Sequence, residues 1–193
     1  MLAEFVELVS ELFPSVDPKT AARCLGQLTR ADFDPGKLFR PEHFDHLAQG
    51  DIVDPVQFVT TDEDGGELEY AGPGLLLSNT CDADHEPHVI FAACYPLDLF
   101  LGENVTDENT LRSNRVYNLL YLPLLGADSR GVVADLSLVH SHSRGFVSRC
   151  LQQGSAIKVC SLSMWGFYLL LAKITIHLMR PEAREVDRGR DEG

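Results

Sequence analysis

The chain has no apolar run long enough to cross a bilayer. Its most apolar stretch, Leu162–Ala172, is interrupted by Ser163 and Gly166 and falls well short of the roughly 20 residues that a membrane-spanning helix needs. The start of the chain carries Glu4 and Glu7, where a secretory signal would be positively charged. We therefore expect a soluble protein with no membrane contact.

Basic residues are also scarce, and the cysteines are few. The 16 Lys and Arg residues face 29 Asp and Glu residues, a net charge of −13. This charge repels phosphate backbones and argues against broad nucleic-acid binding, whereas it suits a basic protein partner. The five cysteines are odd in number and widely spaced, which indicates a reducing, cytoplasmic setting and not a disulfide framework.

Short apolar runs separated by turn residues dominate the middle of the chain. They predict consecutive strands of a small β-barrel. The predicted strands are Ile52–Thr60, Gly74–Asn79, Val89–Tyr95, Tyr117–Leu124 and Val132–Leu138. The acidic stretch Asp62–Glu67 between the first two predicts a hairpin tip. Residues 98–116 are polar and charged and are either an insertion or a helix. Arg144–Cys150 either continues the sheet or begins a short helix.

Helices are predicted at both ends of the chain. Apolar residues at helical spacing predict a helix over residues 2–13. Asp17 and Pro18 begin a second one that ends near Arg30. Ser161 caps a third, which runs to Met179 and is apolar all round, so the N-terminal helices or a second subunit must cover its outer face. The domain prediction is a helical extension over 1–48, a barrel with its closing helix over 49–180, and a disordered tail over 181–193.

The strand region resembles the PemK/MazF ribonuclease toxins. The likeness lies in Gly50-Asp51-Ile52-Val53, in Gly72-Pro73-Gly74 before the apolar run Leu75–Leu77, and in the run that ends at Tyr95. The resemblance implies an SH3-like, mostly antiparallel β-barrel with flanking helices, in the α+β class. It also implies a prokaryotic stress, toxin–antitoxin or phage-defence setting and a homodimer as one arrangement. The catalytic Arg of the family falls at Gly72, and its catalytic Thr falls at about Tyr95.

These two replacements favour a protein that keeps the fold of the toxins and loses their chemistry. The first hypothesis is a binding or regulatory module with no cofactor, which holds a basic regulator or an antitoxin-like protein. The alternative is a metal-independent endoribonuclease, which binds RNA and uses relocated groups that act as acid, base or phosphate contact. The candidates for that role are Asp82, His85, Tyr95, Arg112 and Arg115.

The turn after the second predicted strand is the candidate binding loop. It contains Ser78, Asn79, Cys81 and Asp82. One interpretation is structural: Asn79 and Asp82 accept backbone N–H groups, and Cys81 is a small buried residue. A third functional hypothesis is a metal- or small-ligand-binding enzyme at this turn, since thiolate, carboxylate and imidazole groups suit a transition metal. Cys81, Asp82, His85 and His88 are the weak candidate ligands, and their spacing matches no known zinc motif, so no metal is assigned.

Two further pairs of residues have functional and structural interpretations. His140 and His142 are two apart in a predicted strand, on the face that also carries Leu136 and Leu138. They are either hydrogen-bonded barrel histidines or a functional pair. Arg112 and Arg115 are three apart, as on one face of a helix, and are the best candidates for a phosphate contact. Arg130, Arg144 and Lys158 are the other candidates to replace the missing Arg, although solvated surface charge is the simpler interpretation.

Overall fold

A computed structural model describes residues 18–28, 33–103, 107–123 and 130–179 of the chain. The predicted helix over residues 2–13 and the predicted tail over 181–193 lie outside these ranges. Within them, no helix is both long enough and apolar enough to cross a membrane.

The described chain is mainly β with flanking helices, an α+β fold. Six strands form one antiparallel sheet in the order β4-β5-β3-β2-β1-β6. The strands are β1 (Ile52–Thr61), β2 (Glu67–Leu76), β3 (His88–Pro96), β4 (Leu119–Leu122), β5 (Val132–Ser143) and β6 (Ile157–Cys160). The helices are α1 (Pro18–Leu28), α2 (Thr80–His85), α3 (Leu97–Glu103), α4 (Glu108–Arg112), α5 (Arg144–Gln153) and α6 (Met164–Met179), with a short 3-10 helix at Pro35–Leu38.

Each face of the sheet buries its own apolar core. On the first, here called the α6 face, Ile52, Leu75 and Leu120 pack with Leu170 of α6. On the second, the α5 face, Phe58 and Phe91 lie in a cluster with Val147 of α5 and Ala83 of α2. Burial of both faces explains why β3 is apolar almost throughout and not alternating, as is usual for a strand covered on both sides.

The predictions for β1 and β3 are confirmed, and that for β2 is wrong at both ends. Gly72-Pro73-Gly74 lies inside β2 and is not a turn, so the strand begins at Glu67. The two glycines leave room for bulky side chains that pack against the strand. A Cβ at Gly74 would lie 2.9 Å from Val56 Cγ2 and 3.2 Å from Phe58 Cζ. The strand ends at Leu76 because Asn79 instead caps α2.

Irregularity in β5 corrects the prediction for the two histidines. Ala92 of β3 pairs with Val139, but the next residue, Ala93, pairs with Asp135. This bulge takes up residues 136–138 and reverses the alternation of the strand, as an extra residue does. Leu136 therefore packs on the α6 face, while Leu138 and both histidines lie on the α5 face.

The other connecting regions were predicted only in part. Residues 98–116 contain two short helices, α3 and α4, and β4 is shorter than the predicted Tyr117–Leu124. Arg144–Cys150 belongs to helix α5, the second of the two predicted alternatives. The prediction contained no counterpart to β6, whose four residues are only partly covered.

The C-terminal helix is confirmed, with a different cap. Ser163, not Ser161, precedes α6: its Oγ accepts from Trp165 N at 3.1 Å. Ser161 is fully buried, and its Oγ accepts from Phe44 N at 3.3 Å. Helix α1 covers part of the outer side of α6, where Cys24 packs against Tyr168. An N-terminal helix therefore covers part of α6, which is one of the two predicted alternatives.

Lys173 lies in the middle of this apolar helix and is only 5% exposed. Its Nζ donates to the Val116 carbonyl at 2.5 Å, and burial lowers its pKa to about 8. The unfolded chain, with an ordinary lysine pKa near ~10.4, binds the proton that the folded chain has lost between these values. The contribution of Lys173 to the free energy of unfolding should therefore rise as the pH increases from about 8 to about 10. Burial raises the pKa of the Cys24, Cys94 and Cys160 thiols, so these groups act in the opposite direction in the alkaline range.

We expect Lys173→Met to lose this contribution, so that its free energy of unfolding falls more steeply with pH than that of the wild type between about pH 8 and 10. Urea denaturation at pH values across that interval measures it, with Lys37→Met, an exposed lysine, as the matched control that keeps the wild-type slope. An unchanged pH dependence in Lys173→Met would show that Lys173 is charged in the folded protein.

Candidate functional site

Gly72, which the resemblance to the toxins places where those proteins have their catalytic Arg, has no room for a side chain. A Cβ built there would lie 2.1 Å from the Tyr70 hydroxyl oxygen and 2.4 Å from Tyr70 Cζ. The Tyr70 hydroxyl donates to the Cys94 carbonyl at 2.6 Å, which fixes the ring above Gly72. The space that a catalytic side chain at this position would need is therefore occupied by a phenol ring.

Tyr70 belongs to a row of aromatic rings across the α5 face. Its ring centroid lies 4.9 Å from that of Tyr95 and 6.0 Å from that of Phe58, and Tyr95 lies 6.3 Å from Phe100. Burial, followed by the neighbouring Cys94, Tyr95 and Asp54, raises the pKa of Tyr70 to about 12. The phenol therefore stays neutral near pH 7 and supplies no base for proton abstraction.

The two histidines extend this aromatic row. The Phe58 ring meets His140 and His142 edge-on, at centroid distances of 5.8 and 6.0 Å, and His142 also meets Phe91 at 5.8 Å. Burial, and secondly His140, lowers the pKa of His142. A neutral imidazole packed between aromatic rings contributes to the core and adds no positive charge for an RNA phosphate.

The same contacts show that the sheet curls. In the strand order, β3 and β2 separate β5 from β1, and on a flat sheet their axes would be about 14 Å apart. The rings of Phe58 and His140 are nevertheless within 5.8 Å of each other. The α5 face is therefore concave, with its interior filled by side chains.

Polar side chains of the predicted binding loop accept hydrogen bonds from main-chain N–H groups of the loop and of its neighbours. Asn79 Oδ1 accepts from Cys81 N at 2.9 Å, which confirms the predicted Asx-turn at Asn79. Ser78 Oγ accepts from Ile90 N at 2.8 Å, and Thr80 Oγ1 accepts from Gln49 N at 3.1 Å. Cys81 is exposed and not buried as predicted, because the first turn of α2 buries Ala83 instead.

The candidate metal ligands do not converge. Cys81, Asp82, His85 and His88 are all exposed. In the described ranges, no three His, Cys, Asp or Glu side chains are placed so that they could hold a metal ion. The turn therefore offers separate polar groups and no coordination site.

Arg112 and Arg115 do not share a helix face. Helix α4 ends at Arg112, and Asn114 has a φ of 55° that turns the chain away. The two bonds of the Asn114 side-chain amide with the main chain of Tyr121, at 2.7 and 3.1 Å, keep this turn in place. Arg115 is therefore an exposed residue after the helix.

Arg112 and Arg130 belong to an ion-pair cluster that joins α3, α4 and the start of β5. Arg112 Nε donates to Glu108 at 2.7 Å and Arg130 Nη2 donates to the same carboxylate at 2.5 Å, while Arg130 also pairs with Asp98. These two hydrogen bonds lower the pKa of Glu108. Because each guanidinium has its carboxylate partner, neither is a free phosphate ligand.

Arg144 and Lys158 also hold the structure together. Arg144 Nη1 donates to the Asp84 carbonyl at 2.6 Å. Lys158 Nζ lies 2.8 Å from Asp51 Oδ2 and also donates to the carbonyls of Phe44, at 2.8 Å, and His46, at 2.5 Å. The interpretation of Lys158 as a solvated surface charge is wrong, since Asp51 is fully buried.

Sequence reasoning missed how unevenly the charge is distributed. From Pro41 to Leu111 the chain contains no Lys or Arg and 16 Asp or Glu residues. No Lys or Arg lies in any of the strands β1 to β5. A count by segment, in place of a total, would have shown that strands β1 to β5 lack the cations that RNA cleavage needs.

Two comparisons with known proteins were negative. No protein-family model matches the chain, and no curated protein sequence does.

Proposed function

We propose that the protein is a non-catalytic binding module of the PemK/MazF toxin fold, which acts through protein–protein contacts in a prokaryotic stress, toxin–antitoxin or phage-defence system. The observation that carries this proposal is the Tyr70 ring above Gly72. A toxin site needs a positive group where charge develops on the phosphate, and an aromatic ring fills that place here.

The cations elsewhere support the same proposal. Arg112, Arg130, Arg144 and Lys158 are each engaged by a carboxylate or a main-chain carbonyl. Freeing Arg130, Arg144 or Lys158 for a phosphate would break a contact with a distant part of the chain, and Arg112 pairs with Glu108 of the same helix. Of the five cations that the sequence offered as replacements for the Arg of the toxins, this leaves Arg115, which is exposed after helix α4.

An SH3-like barrel is part of the proposal. What supports it is the concave sheet with its filled interior, together with helix α5 packed into that interior through Val147. The bulge in β5 also favours it, since bulges increase the bend and twist that a small barrel requires.

The proposed partner is a basic protein, such as a nucleic-acid-binding regulator or an antitoxin-like protein. The support for it is the net charge of −13 and the long segment without Lys or Arg. Complementary charge speeds association and selects against acidic partners. A homodimer remains an additional proposal, which rests on the resemblance to the toxins.

Co-expression tests this function. We expect the tagged protein to co-purify with a basic product of a neighbouring gene at about 0.15 M salt, and to lose it near 1 M salt, where surface charges are screened. A co-expressed acidic protein of similar size is the control and should not be retained. If no product of a neighbouring gene forms a complex with the wild-type protein, the proposed function is wrong.

A further inference from the structure

The β1–β2 hairpin has an unpaired edge. Strand β6 pairs with β1 only at Ile52, Val53 and Asp54. From Val56 to Thr61, β1 pairs with β2 on one side, and no strand among the described residues pairs with it on the other. An open strand edge presents main-chain N–H and C=O groups that another extended chain can bind.

Apolar side chains are exposed beside this edge. Val59 is 41% exposed and Leu68 is 52% exposed. They lie on opposite faces of the hairpin, because Val59 pairs with Glu69 and Leu68 pairs with Thr60. The outer half of the hairpin therefore projects beyond both cores and offers apolar surface on each side.

The hairpin is also the most acidic part of the sheet. Between Thr61 and Tyr70 it carries five carboxylates, and the nearest Lys or Arg residues in sequence are Arg40 and Arg112. The five are Asp62, Glu63, Asp64, Glu67 and Glu69. Only Asp62 has a structural role within the hairpin, since its Oδ1 accepts from Gly66 N at 2.6 Å and from Asp64 N at 3.0 Å. The remaining four leave a strong negative charge next to the open edge.

We propose that this edge, β1 from Val56 to Thr61 with the acidic tip beside it, binds a basic extended segment of a protein partner, which joins the sheet as an additional strand. Main-chain hydrogen bonds supply the affinity in this mode of recognition, and side chains supply the specificity. The inference rests on the proposed function, and it names both the surface and the chemistry of the partner.

The negative charge of the hairpin favours a basic peptide over a second copy of the chain and over RNA. A second copy of the chain would bring its own acidic hairpin against this one, and like charges across strands are unfavourable. A single strand of RNA would bring phosphates to the same carboxylates. A basic peptide gains from both the edge and the charge.

The other edge of the sheet shows how such a site can be closed. On β4, the side-chain amide of Asn114 bonds both the N–H and the C=O of Tyr121. No described side chain forms an equivalent pair of bonds with β1 between Val56 and Thr61. The contrast indicates that the β1 edge, unlike the β4 edge, is left accessible.

A defined peptide tests the inference. The probe is a fluorescent peptide of about eight residues that alternates Lys and Val, the period-two pattern of a strand. Its controls are the same peptide with Glu in place of Lys and the Lys peptide with N-methylated Val residues, which keeps the charge and blocks strand pairing. We expect the wild-type protein to bind only the unmodified Lys peptide.

Two protein variants with the same change in net charge locate the site. The hairpin variant carries Glu63→Gln, Asp64→Asn, Glu67→Gln and Glu69→Gln. The matched control variant carries Glu42→Gln, Asp45→Asn, Asp84→Asn and Glu86→Gln, all at exposed positions outside the hairpin. At a few tenths of a kcal/mol per surface pair, we expect about a tenfold loss of peptide affinity in the hairpin variant and less than about twofold in the control variant.

Several outcomes would overturn this inference. They are equal binding by the two variants, equal binding of the N-methylated peptide, no binding of the Lys peptide, or dimerisation of the protein alone through the hairpin. A partner that co-purifies equally with the wild-type protein and the hairpin variant would overturn the inference and leave the proposed function intact. Loss of that partner from the hairpin variant, but not from the control variant, would support both.

Discussion

Replacing Lys158 with Met should lower the free energy of unfolding by about 3–5 kcal/mol, because it leaves a buried carboxylate without its counter-charge. Asp51 is 0% exposed, and its Oδ2 accepts from Ala48 N and from Lys158 Nζ, each at 2.8 Å. Asp51 Oδ1 already has no hydrogen-bond partner in the described part of the chain. Urea denaturation followed by circular dichroism measures the change.

The double variant Asp51→Asn/Lys158→Met is the control for this prediction. It removes both charges, and the Asn side-chain oxygen can still accept from Ala48 N. The double variant should therefore be more stable than Lys158→Met alone, since an unpaired buried charge costs more than a neutral pair. If the free energy of unfolding of Lys158→Met lies within about 1 kcal/mol of the wild-type value, water solvates Asp51 and the buried pair is not formed.

The second large effect concerns Gly72. Gly72→Arg restores the arginine of the toxin pattern, but its side chain has to displace the Tyr70 ring and break the hydrogen bond from Tyr70 to the Cys94 carbonyl. Overpacking of this kind typically costs ~1–3 kcal/mol, and we expect about 3 kcal/mol because the hydrogen bond is also lost. Thermal and urea unfolding of the purified variant measure it.

Two comparisons make the Gly72 result specific. In a Tyr70→Ala background the ring is absent, so Gly72→Arg should lower the free energy of unfolding much less than it does in the wild type. A double-mutant cycle measures this difference. Gly102→Arg in helix α3 has nothing within 4 Å of its Cβ and should be close to neutral. Additive effects of the Tyr70 and Gly72 substitutions would mean that the ring does not occupy this space.

The predictions for β1, β3 and α6 succeeded because their local signals agree with their environments. Strand β3 and helix α6 are almost continuously apolar, β1 has several apolar residues, and apolar residues of all three pack in the core. The prediction for β2 failed because Gly72 and Gly74 lie within the strand, where the absence of a side chain makes room for the rings of Tyr70 and Phe58. From the sequence pattern, a glycine that makes room for a neighbouring ring cannot be distinguished from one that makes a turn.

The faces of β5 could not be predicted for a related reason. The alternation of the strand reverses at the bulge between Asp135 and Val139, and the bulge exists only through pairing with β3. The roles of the cations depend in the same way on distant parts of the chain. Lys158 meets carbonyls more than a hundred positions earlier, so its type and spacing alone could not separate a core ion pair from a surface charge. The Asx-turn at Asn79, in contrast, is local and was one of the predicted interpretations, although the helix α2 that it caps was not predicted.

An RNA-cleavage assay in EDTA tests the central claim most directly, namely that the protein keeps the fold of the toxins without their chemistry. The wild type is assayed beside Asp82→Ala and Arg115→Ala, two exposed substitutions whose folding is checked by melting temperature. We predict no cleavage by any of the three at concentrations where an active toxin degrades the same RNA. Metal-independent cleavage by the wild type that is lost in either variant would contradict the account and would identify a relocated ribonuclease site.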